Sequence, residues 1–243
     1  MGQKIGIVQT RGIGDIIIAL PIADFFLECG HEVVWPIDAR FVAMFRRVKP
    51  GVQFVAVEKS PPDSQDFFLN EPLDLIREHR CARTIILYSF LSGLNICDPR
   101  LARSLKFDEY KYAIAGVPFD LKWKLKIERD KEREEALFNS LGIKGDYVLV
   151  HDRGSDGEMR IPIPVEIHRE FQIVYVDENT DSPFDWLLTI ERAAKLYMID
   201  SSLANLVEQL NLSQPKKLFL RSELGFTPVY KNGWQFSSLQ QSS

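Results

Sequence analysis

The chain has 243 residues, 45% of them hydrophobic and 26% charged, which suits a soluble protein with one large or two small domains. A formal net charge of −4 gives no global pull toward nucleic acid or an anionic membrane surface. Cys29, Cys81 and Cys97 have no CxxC spacing, which argues against a disulfide frame or a zinc site and for reduced thiols in a cytoplasmic protein.

The first predicted element is a short buried strand over residues 5–9. It runs into the turn Thr10-Arg11-Gly12-Ile13-Gly14-Asp15 and a long apolar helix over 15–29, closed by Gly30. Strands are expected over 32–36, 53–57 and 84–88, with helices over 39–48 and about 72–79. Strand-helix alternation predicts a parallel sheet with right-handed crossovers. Residues 110–130 break the rhythm. There, Lys122-Trp123-Lys124-Leu125-Lys126 reads as an exposed edge strand that uses lysines against aggregation. A domain boundary is placed here, giving domains 1–115 and 116–243. The rhythm resumes with a charged helix over 131–141, strands over 147–151, 171–176, 195–199 and 217–220, and helices over 182–194 and 202–210. The expected fold class is α/β, with two Rossmann-like βα domains facing across a cleft and ligands at the carboxyl ends of the strands. Residues 1–10 lack the apolar core of a signal peptide, and the longest apolar stretch, 16–26, carries Asp24 and is too short to span a bilayer.

The candidate chemistry lies in the strand-terminal turns. Asp15 follows the first strand, and it reads either as the N-cap of its helix or as a general base. Gly12 and Gly14 let the backbone approach a ligand, or merely close a tight turn. Arg11 is a phosphate ligand or a surface ion pair. Asp200-Ser201-Ser202 opens a helix after a strand, so its first-turn amides form an anion site or an ordinary cap. His151, Arg153 and Ser155 occupy a Gly-rich loop after the first strand of the second half. Glu191 binds a ribose or is simply solvated. The histidines His31, His79, His151 and His168 show no metal-ligand spacing, and no Asp-x-Asp sequence marks a metal-dependent sugar transferase. No Gly-x-Ser-x-Gly elbow or Walker-type Gly-Lys-Ser/Thr occurs.

Three stretches together resemble a known family. They are Gly12-Ile13-Gly14-Asp15-Ile16-Ile17-Ile18-Ala19-Leu20-Pro21, the strand Tyr147-Val148-Leu149-Val150-His151 with its polar loop, and the run from Ile190 through Asp200-Ser201-Ser202-Leu203-Ala204-Asn205-Leu206. They are similar to the heptosyltransferase-like glycosyltransferases, glycosyltransferase family 9 and relatives, which have the GT-B architecture. Asn205 stands where the family usually has His, Ser202 where it usually has Gly, and the loop after His151 lacks the family's usual lysine-containing pattern. The resemblance implies an inverting transferase with Asp15 as the base that takes the acceptor hydroxyl proton. It implies donor contact by the Asp200, Ser201 and Ser202 turn, and Arg11, Gly12, Gly14, His151, Arg153, Ser155 and Glu191 are the further donor-binding candidates read from their own positions. Domain 1–115 would serve the acceptor and 116–243 the nucleotide-sugar donor. The expected partners are a nucleotide sugar, as substrate rather than cofactor, and a carbohydrate or glycan acceptor. No metal, nucleic acid or transmembrane segment is expected. A sugar-nucleotide epimerase or hydrolase and a non-catalytic nucleotide-sugar-binding module remain as alternatives. A Rossmann oxidoreductase is disfavoured, because Ile17 sits where the third glycine of its fingerprint would fall.

Overall fold

The computed structural model describes residues 2–62, 64–89, 98–154, 157–221 and 227–238. Ser155 and Cys97 lie outside the described residues. The chain divides into two compact units, residues 1–128 and 129–243.

In unit 1, β1 (Lys4–Val8) leads into α1 (Ile13–Glu28), β2 (Glu32–Asp38), α2 (Ala39–Val48) and β3 (Gln53–Val57). A π-helical turn (Asp66–Asn70) precedes α3 (Glu71–Glu78), then come β4 (Arg83–Ile86), α4 (Pro99–Ser104) and α5 (Phe107–Ala115). The strands pair in parallel in the order β3-β2-β1-β4. Strands covered on both faces need near-continuous apolar runs, and β1 and β2 have them. Ile5, Ile7, Val8, Val33, Val34, Trp35 and Ile37 are all buried. Helix α1 is apolar all round from Ile16 to Ala23 and buries every residue of that stretch. Tyr112 on α5 donates its hydroxyl to the Ile18 carbonyl at 2.9 Å, tying α5 to α1.

The lysine-rich stretch after α5 differs from expectation. It forms a 3-10 turn (Phe119–Trp123) instead of an edge strand. Lys122 is fully buried, with Nζ 2.6 Å from Asp108 Oδ2 on α5 and close to the rings of Phe119 and Trp123. Periodicity cannot distinguish a solvated lysine from one that finds a buried carboxylate. The Glu128 amide donates to the Val48 carbonyl at 2.9 Å. These bonds lie within unit 1, which ends at Glu128.

Unit 2 holds α6 (Lys131–Ser140), β5 (Tyr147–His151), a small antiparallel pair β6 (Arg153–Gly154) and β7 (Gly157–Glu158), α7 (Val165–Glu170) and β8 (Gln172–Tyr175). A 3-10 turn (Pro183–Trp186) then leads into α8 (Leu187–Arg192), β9 (Lys195–Ile199), α9 (Ser202–Gln209), β10 (Lys216–Leu220) and β11 (Trp234–Ser238). Five parallel strands run in the order β11-β10-β9-β5-β8. Their core includes Val148, Val150, Ile199 and Phe219. Glu208 on α9 is buried and accepts from the Lys231 amide at 2.9 Å and the Trp234 indole at 2.8 Å, which anchors the entry to β11. No helix among the described residues is long and apolar enough to cross a membrane.

Each sheet reverses its direction of winding once. In unit 1 the chain steps from β1 outward through β2 and β3, then returns to place β4 on the other side of β1. In unit 2 the same reversal separates β5 from β9. At such switch points the strand-terminal loops diverge and leave a crevice for ligands.

Candidate active site

A cavity of about 370 Å³ opens at the switch point of unit 1. Gln9, Arg11, Gly12 and Asp15 enter it from the carboxyl end of β1, Tyr88 and Ser89 from beyond β4, and Lys111 from α5. Phe68 and Phe107 add aromatic wall. Helix α1 begins at Ile13 with Gly12 as its N-cap and no side-chain capping bond, so Asp15 does not cap it. Asp15 is the third helical residue, and its carboxylate meets a cation. Oδ1 lies 3.0 Å from Lys111 Nζ.

Lys111 is the strongest feature that the sequence reading missed. Its side chain is 4% exposed, against 38% for Asp15. It donates to Gln9 Oε1 at 2.6 Å and lies 3.5 Å from the Leu87 carbonyl. A buried ammonium needs such partners to offset its desolvation. Gln9 Nε2 in turn donates to the Arg11 carbonyl at 2.8 Å, bracing the turn that carries Gly12. Gly12 has φ +84°, which suits glycine, and a Cβ built on it would lie 2.6 Å from Asp15 Oδ2. Arg11 and Gly12 therefore share the cavity with Asp15, whereas Gly14 sits within the first turn of α1.

Across the cavity, the Tyr88 hydroxyl accepts from the Thr10 amide at 2.6 Å and shares a second bond of 2.6 Å with Thr10 Oγ1. Burial pushes the Tyr88 phenol up to about 12, so it stays neutral. Its ring meets Phe68 edge to face at 5.6 Å. The site thus combines a carboxylate, a neutral phenol and aromatic faces.

The switch point of unit 2 gathers a second set. Ser201 is the N-cap of α9 and accepts from the Ala204 amide at 3.3 Å. Its Oγ is 2.9 Å from His151 Nδ1 at the end of β5. A Ser201 hydroxyl that donates to Nδ1 leaves the hydrogen of a neutral His151 on Nε2. Burial, with the positive charge of Arg221 adding to it, lowers the His151 imidazole to about 4. Arg221 follows β10 and also escaped the sequence reading. A Cβ on Gly154 would lie 2.8 Å from its guanidinium Nη1, so glycine permits that approach. Asp200 Oδ1 accepts from the Tyr230 hydroxyl at 2.7 Å. Asn205 donates back to the Ser201 carbonyl at 2.9 Å. Ser202 opens α9, and Arg153 is half exposed on β6 with Nη1 3.7 Å from Glu178.

Glu191 stands apart from this set. It is the penultimate residue of α8, shortly before β9 begins, and therefore lies at the amino end of the sheet rather than the carboxyl end. Arg129 binds both of its carboxylate oxygens, at 2.6 and 3.0 Å. The Glu191 carboxylate is thus held in an ion pair rather than simply solvated. Among the described residues no group of three His, Cys, Asp or Glu side chains is placed to hold a metal ion.

No model of a known protein family matches the chain, and no curated protein matches it. Solved structures do match. One is the glycosyl transferase family 9 protein from Veillonella parvula, 14% identical, with 97% of this chain and 86% of that chain covered at a TM-score of 0.64. A second is the E. coli heptosyltransferase WaaC with ADP, 13% identical, with 97% and 93% covered at a TM-score of 0.52. A third is the dodecameric iron-containing glycosyltransferase TibC from enterotoxigenic E. coli, 12% identical, with a TM-score of 0.57. The match covers 97% of this chain but 64% of TibC. At these identities the likeness is one of fold. Two parallel α/β units, each with a single winding reversal and matched over nearly the whole chain, give this protein the fold of the heptosyltransferase-like glycosyltransferases of family 9.

Proposed function

We propose that the protein is an inverting glycosyltransferase that moves a sugar from a nucleotide-sugar donor to a carbohydrate hydroxyl. The observation that carries this reading is the Asp15 carboxylate, set in an aromatic-walled cavity at the switch point of unit 1 and paired with Lys111. In the reaction the acceptor oxygen attacks the anomeric carbon as its proton passes to Asp15. The bond from that carbon to the diphosphate breaks, and the nucleoside diphosphate leaves with the bonding pair. A positioned base of this kind contributes about 10²–10⁴-fold to rate.

On this reading the donor diphosphate binds at the carboxyl end of the unit 2 sheet. The amides at the start of α9, the Ser201 and Ser202 hydroxyls, a neutral His151 donating from Nε2, and the cationic Arg153 and Arg221 supply its ligands. Charge there offsets the negative charge that grows on the leaving group. Gly12, Arg11 and Gln9 shape the turn around the base rather than bind the donor. The proposed acceptor is a sugar whose apolar face rests on Tyr88, Phe68 and Phe107.

A thermal-shift screen of UDP-, GDP-, ADP- and CMP-sugars tests the reading, followed by product analysis with and without sugar acceptors. A ligand at a hundred times its Kd should stabilise the protein by about 2.7 kcal/mol. Turnover that needs an acceptor supports a transferase. Donor consumption without an acceptor favours the epimerase or hydrolase alternative, and binding without turnover favours a binding module.

A further inference from the structure

We propose that Lys111 is a positioning residue for Asp15, holding Oδ1 so that Oδ2 is the oxygen left to take the acceptor proton. The inference rests on the reading of Asp15 as the base, and it assigns a role to a residue outside the sequence motifs. Three observations carry it. The first is the asymmetry of the carboxylate: Oδ1 is 3.0 Å from Lys111 Nζ, whereas Oδ2 lies against the bare Cα of Gly12, another cavity-lining residue. The second is the burial of the ammonium. Lys111 is far less exposed than Asp15, and its Nζ also binds Gln9 Oε1 and faces the Leu87 carbonyl. A lysine with so little solvent around it has few alternative rotamers, so the pair is pre-organised, unlike an exposed ion pair. The third is location. Gln9 and Leu87 follow β1 and β4, the two strands that flank the switch point, so Lys111 ties both to α5 around the base.

The chemistry is complementary. An ammonium has three donors and no acceptor, so it can hold a carboxylate without competing for the acceptor proton. Asp15 starts and ends a catalytic cycle with its charge matched by Lys111, and only Oδ2 needs to be reached by the acceptor hydroxyl.

The test is rescue of a Lys111→Ala protein by a small cation. Removing the side chain enlarges the cavity beside Asp15 Oδ1, and propylammonium chloride supplies the missing group. Propanol and sodium chloride are the controls. Melting temperature is the first readout and needs no substrate. Propylammonium should raise the Tm of Lys111→Ala by about 3 °C or more, and Lys111→Ala/Asp15→Ala, which lacks any side-chain oxygen at position 15, should show a clearly smaller rise. An equal response to propanol, or an equal rise in the double variant, overturns the proposal. The second readout uses whichever nucleotide sugar the wild type turns over. Lys111→Ala should lose roughly 10–100-fold in kcat with little change in donor KM, and propylammonium should restore most of the loss. A rise in donor KM with unchanged kcat overturns the proposal. If the alanine variant does not fold, Lys111→Met and Lys111→Arg keep the bulk of the side chain, and only Arg should retain kcat. A wild type that turns over no nucleotide sugar refutes the transferase reading, while the propylammonium shift still decides whether Lys111 holds Asp15.

Discussion

The Asp15 carboxylate and the Lys111 ammonium meet at 3.0 Å inside unit 1, one from the first turn of α1 and the other from α5. The contact makes Asp15 part of a braced assembly that also includes Gln9, Gly12 and the Leu87 carbonyl. A helix cap would need only backbone amides. The lysine and the cavity are what a capping role leaves unexplained.

Gly12→Ala probes that assembly from the backbone side. Alanine at φ +84° is strained by about 1–2 kcal/mol, and its Cβ would meet Asp15 Oδ2 at 2.6 Å. A carboxylate at the end of a side chain moves more easily than backbone, so the clash displaces the base. Tm should fall by a few degrees, while kcat falls at least tenfold with donor affinity kept. Unchanged kcat in a folded Gly12→Ala protein would detach Asp15 from the chemistry.

Ser201→Ala combined with Ser202→Ala probes the unit 2 turn. Loss of the Ser201 cap should cost about 1 kcal/mol of stability. It also frees His151 Nδ1, and with it the tautomer. Calorimetric titration with the donor found by screening should show weaker binding. Affinity equal to the parent's would remove this turn from the donor site.

His151 gives a pH dependence with a definite sign. Its imidazole titrates near 4 in the folded protein and near 6.5 when exposed, chiefly because of burial. Between those values the unfolded chain binds a proton that the native protein does not. Stability from this group is therefore present above about pH 6.5 and lost as pH falls toward 4, by about 3 kcal/mol in all. Urea denaturation of the parent and of His151→Asn at pH 7 and pH 4.5 measures it. The parent should lose more stability than the variant, and equal losses would contradict a buried neutral His151.

The account also expects metal independence, since the start of α9, Arg153 and Arg221 supply positive charge to the leaving group. Turnover should survive excess EDTA. Activity lost to EDTA and restored by Mg²⁺, Mn²⁺ or Fe²⁺ would require a metal site that this mechanism lacks.

Much of the fold was legible in the sequence because both sheets are parallel and buried. Such strands announce themselves as apolar runs, as in β1, β5 and β9. The turns that carry Asp15 and Ser201 were legible because glycine, aspartate and serine punctuate strand ends. The charged residues that complete the sites were not. Lys111 lies between two buried tyrosines on a helix the sequence reading passed over, and its partner Gln9 is 102 residues away. Lys122 reads as a solvent lysine in the sequence, because nothing there marks Asp108 as its buried partner. Arg221 has no local pattern at all, and nothing in the sequence marks Arg129 as the partner of Glu191. Hydrophobic periodicity records which face is buried, and it does not record which charge another charge will meet. Strand β11 was missed for a related reason: an edge strand with exposed Phe236 needs little apolar patterning.

The central claim is that Asp15 is the base, and the most direct measurement is kcat of Asp15→Asn beside its melting temperature. Asparagine keeps the shape of the side chain and an oxygen for Lys111, but it cannot take the proton. Tm should shift by only a few degrees and donor affinity should hold, while kcat drops by roughly 10²–10⁴-fold. An Asp15→Asn protein that melts with the parent and turns over at the parent's rate would contradict the account.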